Sequence, residues 1–307
     1  MMKYLKLIRI PNLIIVAVLQ AFLYLGILVP VFDVFGISAS FGKAYFVLFV
    51  FTTVLVTATG YVINDILDEK ADKVNKAGKS IIGRMISRRD AFYFYFALII
   101  TGFFIALVVT IHINRMSYML IYLISVALLF LYSKYFKKQV LIGNVFVSLF
   151  ISFVPGVILI FERDGLIQLH EIDFNMFRFI LNIFIGFMVF SFFVTMYREL
   201  VKDVEDIEGD IRINAKTFPI VYGVEMAKIL SGLIAIIILI LLFYWLKMDI
   251  NIEKNYMKIY VLLFVVLPLS YSVFLLKRAK TKYDFHKLSG VIKIIMLTGI
   301  SILFFYM

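Results

Sequence analysis

Cysteine is absent from this chain, which excludes disulfides, thiolate metal sites and a cysteine nucleophile. Histidine occurs three times, at 112, 170 and 286, without the spacing of a metal site. Charge is scarce as well: 17% of the 307 residues are charged against 63% hydrophobic, and the mean hydropathy is +1.01. A soluble domain carries roughly 45–50% apolar residues. Folding in water would leave 33 Phe and 18 Tyr with nowhere to hide, whereas a bilayer solvates such surface. No soluble basic domain accompanies the formal charge of +11, so the surplus is not a grip on nucleic acid. Nor is there an obvious small-residue cleavage site after the basic segment ending at Arg9, so the apolar run that follows is expected to be a permanent helix rather than a signal peptide.

What is present is a series of apolar runs cut by charge clusters. A membrane helix needs about 20 apolar residues. Nine runs meet this: 12–30, 44–64, 91–111, 117–133, 140–161, 177–200, 224–246, 257–276 and 289–306. The expected fold is therefore an all-α polytopic membrane protein, with residues 1–307 forming one transmembrane domain. Basic residues test the count, because a missed span would scramble their alternation. All but seven of the 31 Lys and Arg fall on the N-terminal side; the exceptions are Lys43, Arg115, Arg163, Arg178, Lys247, Lys254 and Lys258. That bias places the N-terminus and the even-numbered loops in the cytoplasm of a cell-membrane protein.

Two of those loops share a pattern. Gly60-Tyr-Val-Ile-Asn64-Asp65-Ile-Leu-Asp68-Glu-Lys-Ala-Asp72 follows the second run, and Arg198-Glu-Leu-Val-Lys202-Asp203-Val-Glu-Asp206-Ile-Glu-Gly-Asp210 follows the sixth. Each contains Asp-x-x-Asp-x-x-x-Asp, and on a continuing helix steps of three and four place the carboxylates on one face. Aligned carboxylates repel one another unless a cation binds, and Mg²⁺ accepts carboxylates together with phosphate oxygens. The three aspartates of one motif each lie 138 residues before those of the other. Four helices separate the sets, which implies two parallel four-helix repeats, related by a pseudo-twofold axis along the membrane normal, plus a ninth helix.

Lysines and arginines follow both motifs: Lys73, Lys76, Lys79 and Arg84 in one loop, Arg212 and Lys216 in the other. A diphosphate needs metal bridges to aspartate and cations on its remaining oxygens, and Lys76, Lys79, Arg84 and Lys216 are the candidates. Positive-inside topology explains any single lysine equally well. A further basic cluster, Tyr132 to Lys138, ends the fourth run; Lys137 and Lys138 could reach the same mouth or simply snorkel at a helix end. A transporter would place ionisable groups within its helices, where this chain has almost none. A noncatalytic scaffold would gain nothing from a repeated carboxylate triplet.

With Asn64-Asp65-x-x-Asp68-x-x-x-Asp72, Asn75-Lys76, Asp206-x-x-x-Asp210 and Lys216-Thr217, essentially the whole chain resembles the UbiA-type intramembrane prenyltransferase family. The resemblance implies nine helices around a central cavity open to lipid, with two Mg²⁺ ions linking the motifs to an isoprenyl diphosphate. Asn64, Asp68, Asp72, Asp206 and Asp210 would be the metal ligands, the four aspartates among them carrying catalysis. Asn64, Asp65, Lys76, Lys79, Arg84, Lys137, Lys138, Arg198, Asp203 and Lys216 would contact substrate. Ala77 to Ser80 departs from the Pro-x-Arg-Pro frequent in the family, with Lys79 in place of the Arg. The run from Arg198 to Asp210, Tyr132-x-x-x-x-Lys137-Lys138 and Gly143-Asn144 are most similar to the branch that prenylates geranylgeranylglycerol phosphate. An aromatic acceptor, a quinone or haem precursor, is the alternative; oligomeric state is left open.

Overall fold

The computed structural model describes residues 2–75, 80–248 and 255–306, and among these it is helical with no β-strand. Eight helices are long and apolar enough to cross a membrane: α1 (Ile10–Val34), α2 (Lys43–Leu67), α3 (Arg88–His112), α4 (Met116–Lys138), α6 (Phe174–Glu205), α7 (Val224–Lys247), α8 (Tyr256–Arg278) and α9 (Lys282–Phe305). Between α4 and α6 the expected fifth span is two bent pieces, Ile142–Ser152 and Val154–Phe161, together α5. Pro155 explains the interruption, since it cannot donate to the turn before it and its ring crowds the carbonyl four residues back. All nine expected runs thus correspond to helices, with α5 broken.

Proline also disturbs α1 and α8. Phe22–Leu28 and Leu262–Val266 are π-helical, and each is followed closely by proline, Pro30 and Pro268. Widening the preceding turn accommodates a residue that has no N–H.

Contacts divide the chain into two compact units, Met1–Lys137 with Val154–Phe184 and Lys138–Phe153 with Ile185–Met307. In the first, Val62, Ile63 and Ile66 near the end of α2 pack with Leu7, Ile82, Ile86, Ala91 and Tyr95. Steps of three and four on α2 generate this buried stripe. A turn with Gly83 at φ 81° folds Ile82 and Ile86 back under it. On α3, by contrast, Phe96, Ile100, Phe104 and Val108 form an exposed apolar stripe at four-residue spacing. Such a surface is stable in lipid and would aggregate in water. In the second unit, Val194, Tyr197, Val201 and Val204 on α6 join the buried faces of α7, α8 and α9, and Tyr197 donates to Ser272 at 3.2 Å.

At the end of the first unit away from the motif, Glu162 is fully buried between α5 and the amphipathic helix Arg163–Ile172. It accepts from Ser40 N at 2.8 Å, Tyr24 Oη at 3.0 Å and Phe41 N at 3.3 Å, which ties down the chain between α1 and α2. Next to it, a Cβ on Gly165 would fall 2.6 Å from Cε2 of Phe32, a ring with no exposed surface. Gly165→Ala is therefore expected to destabilise the protein by about 1–3 kcal/mol through overpacking. Gly186→Ala on α6, where a Cβ meets nothing within 4 Å, should be neutral or stabilising by up to about 1 kcal/mol. Thermal unfolding in detergent, followed by circular dichroism, distinguishes the two.

Candidate active site

Both motifs are continuous with a membrane helix and break at the same place. α2 ends at Leu67 and a short helix, Glu69–Asn75, resumes after Asp68, which has φ −86° and ψ 5°. α6 ends at Glu205 and Ile207–Arg212 resumes after Asp206, which has φ −100° and ψ 5°. The expected uninterrupted helices are thus interrupted at the middle aspartate. Helical hydrogen bonding nevertheless spans each break: Asp68 N to Asn64 O at 2.9 Å and Asp72 N to Asp68 O at 2.8 Å, Asp206 N to Lys202 O at 2.9 Å and Asp210 N to Asp206 O at 3.1 Å. The three-and-four stagger read from the sequence survives.

In the first unit Asp68 is buried, and Asn64 Nδ2 donates to its Oδ2 at 2.9 Å. The Lys137 ammonium, arriving from the end of α4, donates to that same Oδ2 and to Asn64 Oδ1. Two expected ligand residues therefore already converge on one positive charge. Asp65, also buried, is bound by Arg9 through Oδ1 at 2.7 Å. Burial opposes the charge on Arg9, but Asp65, Tyr61 and Asp72 together offset it and hold the guanidinium pKa above its ordinary value. Asp72 is half-buried on Glu69–Asn75, Arg84 is exposed at the loop turn, and Lys76 and Lys79 lie outside the described residues.

In the second unit Asp210 is buried and Asp206 half-buried, with Lys202 Nζ 3.9 Å from Asp206 Oδ2. Asn144 donates to Asp203 Oδ2 at 2.8 Å. The amide of Lys216 donates to the carbonyl of Lys138 at 2.8 Å, so the second motif's loop is joined to the chain just before α5. Arg198 donates to Glu199 at 2.9 Å, while its buried Nε has no hydrogen-bond partner.

Among the described residues no three His, Asp or Glu side chains are gathered as a metal site. The donor chemistry still suits a hard cation, since carboxylate and amide oxygens at Asn64 and Asp68 share the Lys137 ammonium. Sequence reasoning missed Arg9 and gave Asn144 no role. Arg9 carried no signal beyond topology, because a basic residue just before a membrane helix is ordinary.

Membrane helices that end in matched carboxylate motifs define a polytopic membrane protein with paired acidic helix ends. Residues 13–296 match the UbiA prenyltransferase family; the chain belongs to that family and is a prenyltransferase. Digeranylgeranylglyceryl phosphate synthase of Methanosphaera stadtmanae is 29% identical over 248 residues, 79% of this chain and 80% of that protein. A solved structure concerning digeranylgeranylglyceryl phosphate synthase in membranes is 26% identical with a TM-score of 0.61, covering 98% of this chain and 96% of its own. A solved UbiA homologue from Archaeoglobus fulgidus, bound to DMAPP and Mg²⁺, shares the fold at 17% identity and a TM-score of 0.55, over 98% of this chain and 99% of its own.

If the Lys137 ammonium compensates Asp68, Lys137→Met should leave that carboxylate buried without its cation. The variant is expected to unfold at lower temperature than Lys137→Arg, measured side by side in detergent without added metal.

Proposed function

We propose that this prenyltransferase moves a geranylgeranyl group from its diphosphate to the free hydroxyl of geranylgeranylglycerol phosphate, in a Mg²⁺-dependent reaction at the cytoplasmic side of the membrane. The observation that carries the reading is the matched pair of carboxylate motifs, each broken at its middle aspartate where a membrane helix ends. The likeness to digeranylgeranylglyceryl phosphate synthases supports the choice of acceptor.

Asn64, Asp68 and Asp72 of the first motif, and Asp206 and Asp210 of the second, would supply the oxygen ligands to Mg²⁺, a donor chemistry that suits it. Bound there, Mg²⁺ supplies Lewis-acid neutralisation of the diphosphate leaving group. Lys76, Lys79, Arg84 and Lys216 would neutralise diphosphate oxygens that aspartate cannot approach. Lys137 holds Asn64 and Asp68 in place and offers the same charge to a phosphate. The buried, unpartnered Nε of Arg198 supports an anion contact, and Lys138, joined to Lys216 through the backbone, would assist. As the allylic C–O bond breaks, diphosphate leaves with the bonding electrons. The acceptor hydroxyl oxygen then bonds to the allylic carbon and releases its proton. Apolar helix walls exclude water from competing for the cation.

The test is release of diphosphate from geranylgeranyl diphosphate by purified protein in detergent with Mg²⁺, offering geranylgeranylglycerol phosphate or an aromatic acid. Lipid product with the glycerol phosphate alone is the expected result. Product with the aromatic acid alone would overturn the acceptor assignment, and no turnover with either would overturn both. Asp68→Ala and Asp206→Ala should each cut turnover on the order of 100-fold or more. Asp164→Asn, which removes only the exposed pair with Arg115, should stay within about twofold of the parent.

A further inference from the structure

The first aspartate of each motif is held by a residue at the start of another helix. Asp65 is bound by Arg9, the residue immediately before α1, and Asp203 by Asn144, in the first turn of α5. On the repeat read from the sequence, α1 and α5 are the opening helices of the two halves. Each motif's first aspartate therefore reaches the opening helix of its own half.

The two helix starts also share a positive φ, although ψ differs, 56° at Arg9 against −26° at Leu141. Arg9 has φ 56° and Leu141 φ 58°, each directly preceding the first helical residue. Only four non-glycine residues among those described have positive φ, and these are two of them. Leucine and arginine adopt this region rarely, and such strain persists only where the surroundings impose it. Counting onward, Asn12 stands three residues after Arg9, as Asn144 does after Leu141. Asn12 donates to Tyr61 Oη at 3.2 Å, and the Arg9 guanidinium lies 4.7 Å from the centre of the Tyr61 ring. Tyr61 is one helical turn before Asp65, so the first half is secured at two successive turns.

We propose that Asp65 and Asp203 are positioning residues, not metal ligands or substrate contacts: each ties its motif helix to the opening helix of its own half, through Arg9 and Asn144 respectively. Residues three apart differ by about 60° around a helix axis. Holding Asp65 therefore sets the direction of Asp68, and holding Asp203 that of Asp206. The latches are not chemically equivalent. Asp65 is buried and needs a full countercharge, because removing Arg9 would strand its carboxylate away from water. Asp203 is half-buried and accepts from the neutral amide of Asn144.

This assignment rests on the proposed function only for its kinetic readout, so the test begins with measurements independent of turnover. Arg9→Gln, Asp65→Asn and the double variant are compared by thermal midpoint, and by Mn²⁺ binding with inorganic diphosphate followed by electron paramagnetic resonance. Each single variant should lower the midpoint, the double variant should recover most of the loss, and Mn²⁺ affinity should stay within about threefold. Asp68→Asn supplies the loss of Mn²⁺ affinity expected when a ligand is removed, about tenfold or more. In the second half, Asn144→Asp places like charges together and should lower the midpoint and kcat while leaving KM near the parent value. Adding Asp203→Asn reverses the amide–carboxylate pair and should restore both. The assignment is overturned if Asp65→Asn lowers Mn²⁺ affinity as far as Asp68→Asn, if the Arg9 and Asp65 effects simply add, or if the Asn144–Asp203 exchange fails to rescue. Intact coupling in the midpoints of a protein that turns over no acceptor would instead overturn the proposed function alone.

Discussion

A carboxylate at the end of a membrane helix is costly unless a cation or a set of N–H donors meets it, because water is reduced there and the charge cannot leave. This constraint governs the motif ends of both halves. Arg9 meets Asp65, Lys137 meets Asp68 with Asn64 at hand, and Asn144 meets Asp203. Each partner comes from another helix or its end, so satisfying the carboxylates also fixes how helices pack near the motifs. The apolar stripe of Val62, Ile63 and Ile66 fixes which face of α2 is buried beneath, and the polar contacts add to its orientation at the aspartates.

Glu162 offers an internal comparison. It is fully buried, yet backbone N–H groups and a tyrosine hydroxyl satisfy it, and it serves to anchor the chain between α1 and α2. Burial of a carboxylate alone is therefore no sign of catalysis in this protein. What distinguishes the motifs is repetition, a shared helix break at the middle aspartate, and oxygen donors that converge on a positive charge at Asn64 and Asp68. Those properties match the requirements of a prenyltransferase, which must bind a polar, multiply charged diphosphate at the edge of an apolar phase that accepts the isoprenyl tail.

Membership of the UbiA prenyltransferase family and the two-unit packing fit one picture of divided labour. On the proposed reading the middle and last aspartates would carry the chemistry, and the first would secure the helix that presents them. Proline breaks and π-helical turns occur away from those ends, in α1, α5 and α8, where helix irregularity can be absorbed without disturbing the aspartates.

Composition alone settled that this chain belongs in a bilayer, because its apolar surface has no other solvent, and spacing alone located its helices and both motifs. Those properties are local: hydropathy and three-or-four-residue steps are written in consecutive residues. The break at Phe153 within the fifth span was less legible, since Pro155 can be tolerated by bending or by widening a turn. Partnership was hardly legible, although the Tyr132–Lys138 cluster offered Lys137 at the same mouth. Nothing in the neighbourhood of Arg9 distinguishes a countercharge for Asp65 from a topology signal, and nothing near Lys137 says that its ammonium meets Asp68. Such pairs join residues far apart along the chain, and which of several similar cations is used depends on helix packing and rotation, which only the tertiary structure decides.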